Sequence, residues 1–187
     1  MSTLQGVGRF VFLSLLSFVL VGGVAYAQED DESDTDTTSS SVGSASAEGT
    51  YTDANGNFVI KMNTEYPHSL NLSSGGLVMQ SNTSVTGDVH VAHGNVTIDH
   101  NATIEGTLIV DSGNVTLVGN VTITGKVVVG GNLEMGMNTS IPNATVGGNL
   151  SMDSNSNISG AVKVSGSKIV LDDNVNIGGT LTSPASL

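Results

Sequence analysis

Residues 88–125 read DVHVAHGNVTIDHNATIEGTLIVDSGNVTLVGNVTITG, one phrase of about nineteen residues written twice. Each copy divides into three units of six or seven residues. Within a unit the second and fourth residues are apolar and the first and third mostly polar, as in Asn95-Val96-Thr97-Ile98. That is strand alternation, broken every few residues by a corner. The phrase continues in both directions. SLNLSSGGLVMQSNTSVTG precedes it at 69–87. KVVVGGNLEMGMNTSIPN, ATVGGNLSMDSNSNISG and AVKVSGSKIVLDDNVNIGG follow it to residue 179. A recurring period of this length marks a solenoid.

Aligned, the groups give three sides. On the first side Leu70 and Leu72, Val89 and Val91, Leu108 and Val110, Val127 and Val129, and Val162 and Val164 point inward. On the second the pairs run from Leu77 and Met79 to Ile169 and Leu171. On the third Val85, Ile104, Ile123, Ile141, Ile158 and Ile177 recur, each two residues after a smaller one such as Thr83, Ala102 or Thr139. The expected fold is all-β: a single-stranded, three-sided β-helix of about six coils. At a strand spacing of about 4.8 Å it would be a rod of roughly 29 Å. One coil alone buries too little to offset the entropy of ordering it, so the coils must stack.

The corners have their own chemistry. Asparagine opens every unit of the third side (Asn82, Asn101, Asn120, Asn138, Asn155, Asn174) and most of the second (Asn95, Asn114, Asn132, Asn149). A carboxamide donates and accepts, so stacked copies are expected to bond along the axis. Glycines cluster just before these corners (Gly75, Gly87, Gly94, Gly106, Gly113, Gly125 and others), where a sharp turn is expected to need positive φ. The same columns generate many N-x-S/T sequons. Adjacent rungs are too close for each stacked asparagine to carry a glycan. Asn71, Asn143 and Asn157 are the better glycosylation candidates.

Residues 1–27 read as a secretory signal: Arg9, an apolar run, then Ala25-Tyr26-Ala27. Residues 28–48 are acidic, then Ser/Thr-rich, and read as a disordered spacer. Residues 49–68 carry Tyr51, Phe58 and Tyr66, with Asn55-Gly56 as a hairpin signal. They are expected to form an N-terminal cap whose three rings close the first coil, leaving 69–187 as the β-helix. The chain is expected to be exported to the cell surface, envelope or medium. Membrane contact is expected only through the N-terminal segment, if it is retained.

Charge and composition narrow the function. Asp and Glu number 17 against 5 Lys and Arg, a formal charge of −12, so no cationic stripe exists for nucleic acid. There is no cysteine, hence no disulfide framework or thiolate site. His90, His93 and His100 are the residues that invite a metal, but this register places His93 and His100 a whole side apart, and three zinc ligands must converge. No catalytic residue, cofactor or metal site is expected. The Thr-rich outer positions (Thr97, Thr103, Thr116, Thr122, Thr124) leave a carbohydrate- or ice-binding surface protein as an alternative.

Units such as GDVHVAHGNVTIDHNATIEG and GKVVVGGNLEMG resemble bactofilins, the polymer-forming β-helix proteins. The resemblance spans 69–187 and implies a right-handed, three-sided core that assembles end to end without nucleotide. It differs in carrying an export signal. A second likeness is to hexapeptide-repeat acyltransferases, which also follow an aliphatic with a small or acidic residue, as at Ile98-Asp99 and Ile104-Glu105. Those enzymes place a catalytic histidine between trimer subunits and carry a projecting loop or extension, which is not visible here. The expected function is therefore a non-enzymatic structural solenoid that forms a head-to-tail homopolymer. Val162, Val164, Ile177 and Leu181 are expected at the assembling end, with Pro184 limiting strand addition beyond it.

Overall fold

The computed structural model describes residues 48–184. The expected signal at 1–27 and nearly all of the spacer lie outside them. The described residues form an all-β solenoid of three parallel sheets and about seven turns, with no helix.

Strand β1 (Thr50–Thr52) leads in. The first turn is β2 (Phe58–Ile60), β3 (Glu65–Tyr66) and β4 (Leu70–Leu72). The second is β5 (Leu77–Met79), β6 (Ser84–Val85) and β7 (Val89–His93). The third is β8 (Val96–Ile98), β9 (Thr103–Ile104) and β10 (Leu108–Ser112). The fourth is β11 (Val115–Leu117), β12 (Thr122–Ile123) and β13 (Val127–Val129). The fifth is β14 (Leu133–Met135), β15 (Ser140–Ile141) and β16 (Ala144–Val146). The sixth is β17 (Leu150–Met152), β18 (Asn157–Ile158) and β19 (Val162–Val164). The seventh is β20 (Ile169–Leu171), β21 (Asn176–Ile177) and β22 (Leu181–Thr182).

Every turn adds one strand to each side. The first side runs β4 to β22, the second β2 to β20 with β1 in front, and the third β3 to β21. Equivalent positions meet in register: Val85, Ile104 and Ile123 stack on the third side, and Val96, Val115 and Leu133 on the second. Their side chains share one axial core in which Ile98, Ile104, Leu108 and Leu117 are fully buried. Strand pleating sends alternate residues inward, and three short sides leave those residues nowhere to point but the axis.

The seventh turn, beyond the six expected, comes from the two ends of the repeat region. Residues 49–68 do form an antiparallel hairpin, Thr50 opposite Ile60 and Thr52 opposite Phe58. Its second strand, however, is already a rung, since β2 pairs in parallel with β5 and β3 with β6. Asn63, nineteen residues before Asn82, continues the corner column. Phe58 and Tyr66 meet edge to face at 6.0 Å and pack on the end of the core. Tyr51 is not part of that lid. It is 40% exposed, with Lys61 Nζ 5.4 Å from its ring centre.

Corner chemistry also differs from expectation. Asparagine, more than glycine, takes positive φ: Asn63, Asn82, Asn101, Asn120, Asn138, Asn155 and Asn174 all lie between 52° and 61°. Among the corner glycines only Gly75, Gly94 and Gly113 do so. Asparagine tolerates the left-handed region because its short amide bonds locally, whereas most residues lose about 1–2 kcal/mol there. Most of the remaining corner glycines are needed for space. A Cβ on Gly125 would lie 2.5 Å from the Gly106 carbonyl oxygen one turn below.

Two inward assignments change as well. Ala144 and Val146, in the short fifth unit ATVGG, are buried members of the first side. Leu171 is 44% exposed and Ile169 half-buried, because no further described turn covers them.

The small inward column of the third side contains one orphan. Thr83 Oγ1 donates to the Gln80 carbonyl at 2.7 Å and Ser156 Oγ to the Asp153 carbonyl at 2.6 Å. Thr139 Oγ1 is equally buried and has no hydrogen-bond partner among the described residues. Valine already occupies the equivalent place at Val121. Thr139→Val is therefore expected to stabilise the protein by about 1–2 kcal/mol, since an unmet buried hydroxyl is replaced by a shape-matched methyl. Thermal unfolding should show a midpoint raised by about 3–6 °C. An unchanged or lower midpoint would contradict the assignment.

Candidate functional site

Chemistry on this scaffold resides in the columns that face water. At the second-side corner each asparagine reaches to the next turn. The backbone N–H of Asn114 donates to Asn95 Oδ1 at 2.9 Å, that of Asn132 to Asn114 Oδ1 at 2.9 Å, and that of Asn149 to Asn132 Oδ1 at 2.8 Å. Lys168 N–H continues the series on Asn149 Oδ1, and Gly76 N–H begins it on Asn57 Oδ1. On the third side the first rungs bond amide to amide, Asn82 Nδ2 to Asn63 Oδ1 at 3.1 Å and Asn101 Nδ2 to Asn82 Oδ1 at 3.2 Å. The second-side bonds meet corner N–H groups that the sheets leave unpaired, whereas on the third side the Asn82 and Asn101 N–H groups already donate to the His100 and Gly119 carbonyls.

Beside the second-side ladder the outward faces of β8, β11 and β14 form a shallow cavity of about 250 Å³, lined by Asn95, Thr97, Asn114, Thr116, Asn132 and Glu134. A second, of about 210 Å³, shares Asn132 and Glu134 and extends to Ser151, Lys168 and Val170. No sequence motif announces this groove. It depends on side chains nineteen residues apart becoming neighbours.

The three glycosylation candidates occupy different settings. Asn71 is exposed in the middle of β4, with no side-chain bond among the described residues. Asn143 Oδ1 accepts the Ala161 N–H at 2.9 Å. Asn157 is half-buried, and its Oδ1 accepts from Asn176 Nδ2 at 2.6 Å. Of the three, Asn71 presents its amide with the fewest ties.

The histidines lie apart, each with its own neighbour. His90 Nε2 is 2.7 Å from Asp111 Oδ2, His93 Nδ1 is 3.2 Å from the Ser73 carbonyl, and His100 Nδ1 is 2.6 Å from Asp99 Oδ1. The His100 backbone N–H and ring, followed by the Ser81 hydroxyl, hold the Asp99 carboxyl below its ordinary value. Among the described residues no three His, Cys, Asp or Glu side chains converge as a metal site would require.

The last turn differs from the rest. Val162 and Val164, expected at the assembling end, are 1% and 2% exposed; they sit one rung inside, with Leu181 of β22 directly opposite Val162. The outermost described strands are β20, β21 and β22. Their Ile169, Leu171, Ile177 and Leu181, and Val175 just before β21, are all partly or largely open, and Val170 is 42% exposed on the outer face. Comparison with known proteins gives no match to a family, to a curated protein or to a solved structure.

Proposed function

We propose that this protein is an exported structural rod that self-assembles end to end through its seventh turn, without catalysing a reaction. The observation that carries the reading is the contrast along one core. Inward residues of the middle turns are essentially inaccessible, whereas Leu171 is 44% exposed and Ile169, Ile177 and Leu181 are partly open beside three strand edges. Open edges with apolar side chains are templates for another chain. A second copy offers strands of the right direction, because β3 and β4 are the outermost rungs of the third and first sides at the other end. Head-to-tail joining would continue those two sides and bring β20 against β1. Export is supported by the signal-like pattern of 1–27, and the resemblance to bactofilins agrees with a polymer.

Light scattering on the chain from residue 28 onward tests this. The mass should rise with concentration beyond two copies. Leu171→Asp combined with Leu181→Asp should hold it at one copy and leave the unfolding midpoint within a few degrees. A wild type that stays monomeric overturns the proposal. A mass that stops at two overturns head-to-tail growth in favour of two seventh turns paired face to face.

A further inference from the structure

We propose that the groove on the second side binds a linear, uncharged polysaccharide laid along the solenoid axis. This inference is independent of self-assembly and rests on the outer face alone. The two cavities share Asn132 and Glu134 and therefore adjoin, together following the axis from Asn95 in the third turn to Lys168 at the start of the seventh. A trough running along the rod suits a chain ligand better than a compact one.

The wall of the trough is a row of amides held in a common pose. Each Oδ1 of Asn95, Asn114 and Asn132 is bonded to the N–H of the next turn, at 2.8 to 2.9 Å. That bond fixes the carboxamide plane and leaves the Nδ2 donors without a protein partner among the described residues. Donors therefore recur at one per rung, about 4.8 Å apart. They are set before any ligand arrives, which reduces the entropic cost of binding. The floor adds the hydroxyls of Thr97 and Thr116, which both donate and accept, and the Glu134 carboxylate, which only accepts. An extended glycan offers the complement: hydroxyls of both kinds, repeating once per ring at nearly the same interval.

Charge decides between glycan classes. The trough holds one carboxylate, Glu134, and one ammonium, Lys168 at its far end, so its own charges balance, and the whole chain is at −12. A sulfated or phosphorylated polymer would be repelled, and a neutral one would not. The trough has no aromatic platform, so each sugar is held weakly. Useful affinity then comes from many rungs engaging one strand of polymer.

Affinity electrophoresis through native gels tests the proposal, with soluble neutral polymers (hydroxyethyl cellulose, glycol chitin, xylan, mannan) and dextran sulfate cast separately. At least one neutral polymer should retard the wild type, and dextran sulfate should not. Thr116→Arg fills the trough from a half-buried, outward-facing strand position and should weaken retardation by about tenfold, the worth of roughly 1.4 kcal/mol. Thr122→Arg, on the outer face of the third side, should leave it unchanged, and both variants should melt as the wild type does. Retardation by none of the neutral polymers, by dextran sulfate alone, or equally in both variants overturns the proposal.

Discussion

Ile104→Asp is expected to leave a chain with no cooperative unfolding transition. Ile104 is inaccessible to solvent in the third turn, stacked between Val85 and Ile123 on the same side of the core. Truncating a buried isoleucine costs about 2–5 kcal/mol through lost burial and the cavity left behind. A carboxylate in that cavity adds an unpaired charge in a column of aliphatics, and no basic side chain lines it. The sum approaches the whole stability of an ordinary domain, about 5–15 kcal/mol. The solenoid magnifies the damage, because each turn rests only on its neighbours and a failed third turn separates the first two from the last four. Circular dichroism during heating is the measurement. Ile104→Val, expected to cost about 1 kcal/mol, should keep a sharp transition. A sharp transition in Ile104→Asp near the wild-type midpoint would show that this column does not face the axis.

Gly125→Val should lower stability by about 2–4 kcal/mol, moving the midpoint down by roughly 5–15 °C. Its φ is ordinary, so backbone strain is not the cause. The obstacle is the turn below: a Cβ would lie 2.5 Å from the Gly106 oxygen and 2.6 Å from the Thr107 nitrogen. Both are backbone and cannot rotate away. To relieve the clash the turns must part, which breaks the bond from Gly125 N–H to the Gly106 oxygen, 3.0 Å long. Gly56→Val is the informative companion. Nothing lies within 4 Å of the Cβ it would add, and its penalty comes only from φ of 80°. If the two variants lose equal stability, close contact between turns is not what glycine provides at residue 125.

Much of the architecture was legible because strand alternation is written locally. Val96 and Ile98, or Val115 and Leu117, declare their face by the polar residues beside them. Two rungs were harder to see. In 58–66 Phe58 and Tyr66 stand where aliphatics recur in later turns, so β2 and β3 look like a cap, although Ile60 is buried as usual and Asn63 keeps the period. In 144–148 the unit is five residues long, and Ala144 is small enough to pass for a corner. The left-handed asparagines were hidden for another reason. Glycine and asparagine stand close together at each corner, and composition does not reveal which one turns the chain.

The candidate groove was legible only in its ingredients. Asn95, Thr97, Asn114 and Thr116 are conspicuous in the sequence, but as sequons and ladder residues. Their joint use as a trough requires knowing that Asn95 Oδ1 is taken by the next turn while its Nδ2 is left outward.

The sequence by itself determined the period, the division of each side into inward and outward residues, and hence an axial aliphatic core wrapped by three sheets. Those properties follow from strand geometry within a few residues of each position. Tertiary structure alone decided where the rungs begin, which residue at each corner takes the left-handed conformation, which hydroxyl is stranded at Thr139, and which apolar residues stay open at the seventh turn. Each of these depends on a partner about one turn away along the chain, and the exact corner length sets which partner that is.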